Sequence, residues 1–503
     1  MSAMAWSRQH WLFGFVAVGA TVLRAVVLLA YQPALIFPDS ERYLAYAWRF
    51  LNGHWSPDWV RTSGYSLLLM PAVLTRNLAV VVAIQHLLGL ATAMLIYAVL
   101  LRYGARRWLA ALAAVPVLLD PLQLDLEQYV LTDVTATFLL VAALILLAWR
   151  HGNGAVAVAG ALLAAATIIR ESDLVVMVPA VSYLAVVIRP GRRLAARAAL
   201  LLASFLIPVL GYLGWHQVWY GQFGFTGADS RFLYGRIAQF AECAGVPLPE
   251  DERPLCPRPP PARRNLDFYM WSPRSPQATL TVPAGTDREH VIGDFDRRII
   301  EHQPLAYLKA VAGDVLYSFS PVRGAGPEHY PVWYHQFHSY FPAHPDEAAT
   351  LRATTGRGPY AQPVLARFLA SYGRHFYVPG PLLAAGLALG LAGTAGLGRA
   401  RRSRLRAPCL LFTAGAITAA EPPFLIAAFD WRYELPQLSL IPVAAILGLV
   451  ALTARPAGDR SIRPGRRRAG TDAAESPRAE GQRAGTGRWL VFRGINPARE
   501  VRH

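Results

Sequence analysis

WLFGFVAVGATVLRAVVLLAYQPALIFPDSERYLAYAWRF, residues 11–50, decides how the whole chain is read. Its first half is an apolar run of the length a helix needs to cross a bilayer, about 20 residues. The run is too long for a secretory signal and lacks a small-residue cleavage site, so it is expected to remain as a first transmembrane helix. The second half then presents Asp39, Glu41 and Arg42 together. Pro38 would end one helix, and Asp39 would cap the next by accepting a bond from its free backbone N–H groups. The same carboxylate stands at a membrane surface, where an ionisable group is costly and is read by default as functional.

The rest of the chain repeats the apolar pattern. Of its 503 residues 54% are hydrophobic and only 16% charged, against about 25% charged in soluble domains. A soluble enzyme with a large core is excluded. Spans are expected near residues 11–31, 77–101, 108–119, 130–149, 154–169, 174–188, 198–220, 376–397, 407–429 and 436–453. The fold class is therefore mainly α, a polytopic integral membrane protein of about ten transmembrane helices.

The formal net charge is +17. Its arginines sit in short inter-helix loops and the tail, which is the positive-inside pattern and not a nucleic-acid surface. With Arg8 in the cytoplasm, Arg102, Arg106 and Arg107, Arg150, Arg189 to Arg197, and Arg399 to Arg406 all fall inside. Both termini are then cytoplasmic, and the protein is a multi-pass protein of the cell membrane. Lys309 is the single lysine; that bias, with abundant Ala, suits a GC-rich bacterial genome.

Four domains are expected: residues 1–220, an N-terminal transmembrane core with a first outer loop at 32–76; 221–375, an extracytoplasmic loop domain; 376–453, C-terminal transmembrane helices; and 454–503, a disordered basic cytoplasmic tail. In the outer loop, Ser40 to Leu51 places Leu44, Ala47, Trp48 and Leu51 on one face and Arg42, Tyr46 and Arg49 on another. That is an interfacial helix, and HWSPDWVRTSGYSLLLMPAVL leads into a second. The long loop carries an irregular CPRPPPARR, a helical FDRRIIEHQPLAYLKAVAGDVLYSF interrupted at Pro304, and HYPVWYHQFHSYFPAHP. Those aromatic rings suit either stacking on sugars or an interfacial belt. Cys243 and Cys256 share this outward loop, where oxidising conditions favour a disulfide. Cys409 reads as packing, and no Cys/His spacing suits a metal.

Acids collect on the outer face at helix ends: Asp39, Asp58, Asp120, Asp125, Glu127, Asp133, Glu171, Asp173 and Asp430. Arg61, Arg170 and Arg432 reach the same face. Arg24, inside the first span, is costly against lipid and should face the bundle or a lipid-phosphate path.

In order along the chain, FPDSERY, RTSGYSLLL, VLTDVTATFLL, IIRESDLVVMVPA and DWRYELPQLSLIP form a set. The set resembles the C-type glycosyltransferase superfamily, polytopic enzymes that use polyprenyl-phosphate-linked sugars. Protein O-mannosyltransferases and lipid A aminoarabinose transferases are members. Ser63 and Ser66 stand where the family usually has proline, and Asp133 where it often has Glu. The resemblance implies transfer of a sugar from the lipid-linked donor to an extracytoplasmic glycan, lipid or protein hydroxyl. Asp39 would be the general base, with inversion at the anomeric carbon, and a pKa raised by half-burial beside lipid would suit it. Arg432, Arg170 and Arg61 would hold the donor phosphate in bidentate forks. Asp133, Glu127, Tyr433 and His54 are candidates for binding sugar or acceptor. No cofactor is expected; the alternative is a divalent cation such as Mg or Mn on Asp125 and Glu127, since some relatives use a second-loop acidic pair.

Two other classes compete. A transporter or flippase of a lipid-linked sugar or other envelope precursor would show broken helices at mid-membrane in two related halves. A non-catalytic scaffold would leave the outer acids and arginines without a task.

Overall fold

The computed structural model describes residues 3–324, 330 and 332–453; the basic tail at 454–503 lies outside the described residues. From the N-terminus run α1 (Ala3–Ala30), β1 (Tyr31–Gln32), α2 (Pro38–Leu51), α3 (Gly64–Leu74), α4 (Leu78–Arg102), α5 (Arg107–Leu119), α6 (Pro121–Gln128), α7 (Asp133–Trp149), α8 (Asn153–Ile169), α9 (Met177–Val187) and α10 (Arg192–Tyr220). The long loop holds α11 (Asp229–Ala238), α12 (Leu266–Trp271), α13 (Pro276–Thr279), α14 (Arg288–His302), α15 (Pro304–Tyr317), α16 (Pro345–Thr355), β2 (Tyr360–Ala361) and α17 (Pro363–His375). The chain then closes with α18 (Gly380–Ala395), α19 (Arg406–Ala420), α20 (Pro422–Ile426) and α21 (Leu435–Thr453). Among the described residues the only sheet is the antiparallel pair of β1 and β2.

The mainly α class holds, but the count of ten crossings is not reached. By length and composition five helices can cross a membrane: Gln9–Ala30, Leu78–Arg102, Arg192–Tyr220, Arg406–Ile426 and Trp431–Thr453. The number rises to seven if two bent pairs each count once, α5 with α6 at 46° and α17 with α18 at 54°. Two of the expected spans, α7 and α8, are apolar helices of 17 residues, at the short end of what spans a bilayer, about 17–25. The segment from Pro121 was expected to join two spans. It is instead a separate buried helix, α6, set off where Pro121 follows the Asp120 cap.

The first span explains its own arginine. Arg24 is buried and donates to the carbonyls of Val117 and Leu118 at 2.9 Å and to Glu127 Oε1 at 2.8 Å. His86 Nδ1 meets the other Glu127 oxygen at 2.6 Å. A helix C-terminus and a buried carboxylate thus take up the cation, and the Arg24 charge lies within the bundle.

At the other side of the bundle, α21 is the most enclosed of the candidate spans. Gly448 lets it touch α18: a Cβ there would lie 2.2 Å from the Leu389 carbonyl oxygen. Small residues permit such approach where no hydrophobic force drives helices together in lipid.

Beyond α10 the loop segment builds a small core of its own from Tyr234, Ile237, Leu255, Tyr269, Phe295 and Ile299. The expected Cys243–Cys256 disulfide is formed beside it, and Cys409 is free and buried. Pro304 divides the long helical stretch, as its missing N–H requires, into α14 and α15. Arg236 fastens α11 to the rest, paired with Asp314 and donating to the Phe424 carbonyl at 2.8 Å.

Candidate active site

The turn into α2 starts earlier than the sequence suggested. Phe37 is the N-cap and Pro38 the first helical residue, with Ser40 Oγ accepting from the Phe37 N–H at 3.0 Å. Asp39 is therefore not the cap. It lies inside the first turn, where the helix dipole favours an anion, and its side chain is left to point elsewhere. The buried face of α2 is Tyr43, Leu44, Ala47 and Phe50; Trp48, expected on that face, is exposed.

The segment before α3 is stapled to the end of α8. Thr62 Oγ1 donates to the Ile169 carbonyl at 2.8 Å. The Ser63 N–H donates to Tyr212 Oη at 3.0 Å, a bond that a proline would forbid. Gly64 packs so closely that a Cβ would sit 2.5 Å from the Ile168 carbonyl oxygen. Asp58 is consumed here, held by Arg42 and accepting from the Val60 N–H at 2.8 Å. Arg61 is thereby aimed at Asp39: its Nε and Nη2 donate to Oδ1 at 3.0 and 2.8 Å. The Phe232 ring lies against its guanidinium at 4.9 Å.

From the far end of the chain, the 3-10 turn Trp431–Glu434 ahead of α21 brings Arg432 to the other oxygen. Its Nη1 donates to Asp39 Oδ2 at 3.0 Å, and its Nε lies 3.1 Å from Asp430 Oδ2. Asp133, at the start of α7, stands 4.0 Å from Arg432 and 3.6 Å from Arg170. Tyr433 turns its ring to both guanidinium groups, at 5.4 and 5.3 Å. Arg170 is 9% exposed, and its two terminal nitrogens have no hydrogen-bond partner among the described residues.

These residues line one cavity of about 610 Å³. Its polar lining includes Asp39, Tyr43, Arg61, Asp133, Arg170, Glu171, Arg432 and Tyr433, and its apolar lining Leu174, Val175, Leu233, Pro422, Pro423 and Ile426. A second cavity, about 690 Å³, lies near the N-terminal end of α1 among residues 9–13, Tyr97, Leu101 and residues 105–108; among the described residues no carboxylate lines it.

The charges set the protonation of the site. Burial alone would push the Asp39 carboxyl up, but Arg61 and Arg432 outweigh it and hold the group below the ordinary carboxylate range. The expected upward shift is thus reversed, because two guanidinium groups touch the carboxylate directly. Asp430 is treated likewise: burial raises it, and His335 and Arg432 more than offset that. Glu171 moves the other way, pushed by burial and then by Asp229 to about 7.

Of the residues expected at the site, Asp39, Arg61, Arg170, Arg432, Asp133 and Tyr433 are brought together. Arg61 gives its Nε and Nη2 to Asp39, so its geometry is that of a clamp on the carboxylate more than a free phosphate fork. His54 is exposed and lines no part of the cavity. Glu127 is fully enclosed with Arg24 and His86 and is likewise outside the cavity. Asp125 stands two residues away on α6 and is buried, a spacing at which helical side chains do not face each other. Among the described residues no group of three or more acids, histidines and cysteines is placed to hold a metal.

Tyr43 and His335 were not singled out in the sequence, and Glu171 was named only among the outer-face acids. Tyr43 was legible as one helical turn beyond Asp39. His335 was hidden in the aromatic stretch, two of whose rings pack inward: Phe337 stacks on Tyr31 at 5.9 Å, and Tyr334 meets Phe37 edge-on at 5.2 Å.

No protein-family model matches the chain, and no curated protein matches it. Two solved structures show weak similarity to the chain. One is the Saccharomyces cerevisiae protein O-mannosyltransferase Pmt1-Pmt2 complex bound to the sugar donor, at 17% identity and a TM-score of 0.35. That match covers 46% of this chain, which spans 38% of the length of that one. The other is ArnT from Cupriavidus metallidurans in the apo state, at 14% identity and a TM-score of 0.33, covering 87% of this chain and 77% of that one. Overlays this loose fix no residue correspondence, and the chemistry rests on the cavity.

Proposed function

We propose that this protein is a membrane glycosyltransferase that moves a sugar from a polyprenyl-phosphate-linked donor to a hydroxyl acceptor on the extracytoplasmic face. One observation carries the reading. One cavity holds a carboxylate, Asp39, an arginine whose terminal nitrogens have no hydrogen-bond partner among the described residues, Arg170, and apolar side chains such as Leu174, Val175, Leu233 and Ile426. A phosphate on an isoprenoid chain combines the same two characters.

In this reading the donor phosphate sits on Arg170 and competes for Arg432, since guanidinium binds phosphate in a charge-assisted fork. Asp39 Oδ2 then loses its partner and accepts the proton of the attacking hydroxyl, while Arg61 keeps Oδ1 in place. The new bond forms at the anomeric carbon as the bond to phosphate oxygen breaks, with inversion in a single displacement. Departing negative charge stays on polyprenyl phosphate beside the arginines, where it is stabilised. Asp133 and Tyr433 border the same space and suit contact with sugar or acceptor.

The test is sugar transfer by the protein in nanodiscs, with a panel of polyprenyl-phosphate sugars and an EDTA arm for a divalent cation. Wild type is expected to transfer one of them, and Asp39→Asn to lose on the order of 10²–10⁴-fold in rate, the range for a positioned base. Transfer that survives Asp39→Asn removes Asp39 from that role. The bends at α5–α6 and α17–α18 also suit a carrier of lipid-linked sugar; a donor moved across the bilayer but never turned over would establish that class instead.

A further inference from the structure

Behind Arg432 lies a chain of charges that the transfer reaction itself does not require. His335, in the 3-10 turn Val332–His335 of the long loop, places Nε2 2.7 Å from Asp430 Oδ1. Arg432 Nε is 3.1 Å from the other oxygen, Oδ2. Arg432 Nη1 then reaches Asp39 Oδ2 at 3.0 Å. His335, Asp430 and Arg432 are all buried. The Phe37 ring completes the arrangement, stacked on His335 at 5.6 Å and lying against the Arg432 guanidinium at 5.0 Å.

We propose that His335 is a positioning residue for the donor phosphate, acting on Arg432 through Asp430; this rests on the reading of Arg432 given above. The physical reason is orientation. An Asp430 carboxylate held at one oxygen only could turn, and the guanidinium edge that it faces would turn with it. By meeting Oδ1, His335 fixes the rotation of the Asp430 carboxylate and shares its charge. Arg432 is then held at its Nε edge, and its terminal nitrogens are left to address Asp39 and the cavity. His335 comes from the long loop and Arg432 from the start of α21, so the loop domain completes the phosphate seat and does not merely cover it.

The experiment measures affinity of the full chain in nanodiscs for polyprenyl monophosphate, alongside donor and acceptor KM in the transfer assay. His335→Ala is expected to weaken the lipid phosphate on the order of tenfold, the effect usual when the partner of a ligand-binding side chain is lost. Acceptor KM should stay where it is, and His335→Gln, which keeps an N–H donor, should recover most of the affinity. Asp430→Asn should match His335→Ala, and the double variant should be no worse than either, because both break one chain. If His335→Ala does not fold, Asp430→Asn carries the same expectation. Unchanged affinity in these variants, additive losses, loss that Gln does not relieve, or wild type that binds no polyprenyl phosphate would overturn the proposal. If wild type transfers no sugar yet the affinity pattern holds, the transferase reading fails and the positioning role stands.

Discussion

Arg432 donates to Asp39 at 3.0 Å across 393 residues of sequence. The contact joins the segment that follows α1 to the start of the most enclosed candidate span, and it puts the two groups on which the proposed transfer leans most in each other's grip. Releasing one requires a competitor for the other, and a phosphate is the natural one.

Arg432→Lys should therefore fail despite keeping the charge. A lysine ammonium cannot serve Asp430, Asp39 and a phosphate through separate edges of a planar fork. Donor KM is expected to rise about 10- to 100-fold, corresponding to a charged hydrogen bond of about 1.5–3 kcal/mol. Steady-state kinetics with varied donor would check this; an unaltered donor KM would place the phosphate elsewhere.

The pH dependence of Asp39 has a definite sign. Its folded-state pKa is lowered, so its ion pairs add stability above the unfolded value, about 3.9, and that stability is lost as pH falls through the folded value. Activity should show no acid limb from this group between pH 5 and 8. Removing one clamp with Arg61→Gln should move the acid limb upward, since burial, the largest single influence on Asp39, is then less opposed. A kcat/KM profile identical to wild type would show that Arg61 does not set the charge of the base.

Asp173 titrates the opposite way. It is buried, neither oxygen has a partner among the described residues, and burial pushes it to about 7. The folded state holds this proton more tightly than the unfolded chain, so stability falls as pH rises from about 4 to about 7. Asp173→Asn should raise the thermal midpoint at pH 8 and change little at pH 5. Thermal unfolding in detergent at the two values would measure it, and equal shifts at both would contradict a titrating carboxyl.

Arg24 offers a stability test away from the site. Arg24→Leu leaves Glu127 buried without its cation, which should cost about 3–5 kcal/mol. Adding Glu127→Leu removes the stranded charge and should recover much of the loss. Thermal unfolding of both variants would decide, and a double variant as unstable as the single one would argue that the arginine acts through the α5 carbonyls instead.

Much of the site was legible. Asp39, Arg61, Asp133, Arg170 and Arg432 each stand where an apolar run ends, and alternation of spans sends those ends to one face. Arg24 was legible as bundle-facing because lipid forbids the alternative. His54 and Glu127 stand outside the cavity that the other expected residues line, since being on one face does not say which way a side chain turns. Pro38 did contain the register of α2: proline favours the first helical position, which makes Phe37 the cap and frees Asp39.

What the sequence determined by itself was the helical, membrane-crossing class and the set of ionisable groups at one end of it. Hydrophobic length and the cost of charge in lipid are local properties that a one-dimensional reading captures. Tertiary structure alone decided that Arg61 and Arg432 close on the two oxygens of Asp39, that its pKa falls, and that His335 stands behind Asp430. Coulombic balance depends on distances of a few ångströms between residues hundreds of positions apart, and only packing sets those distances.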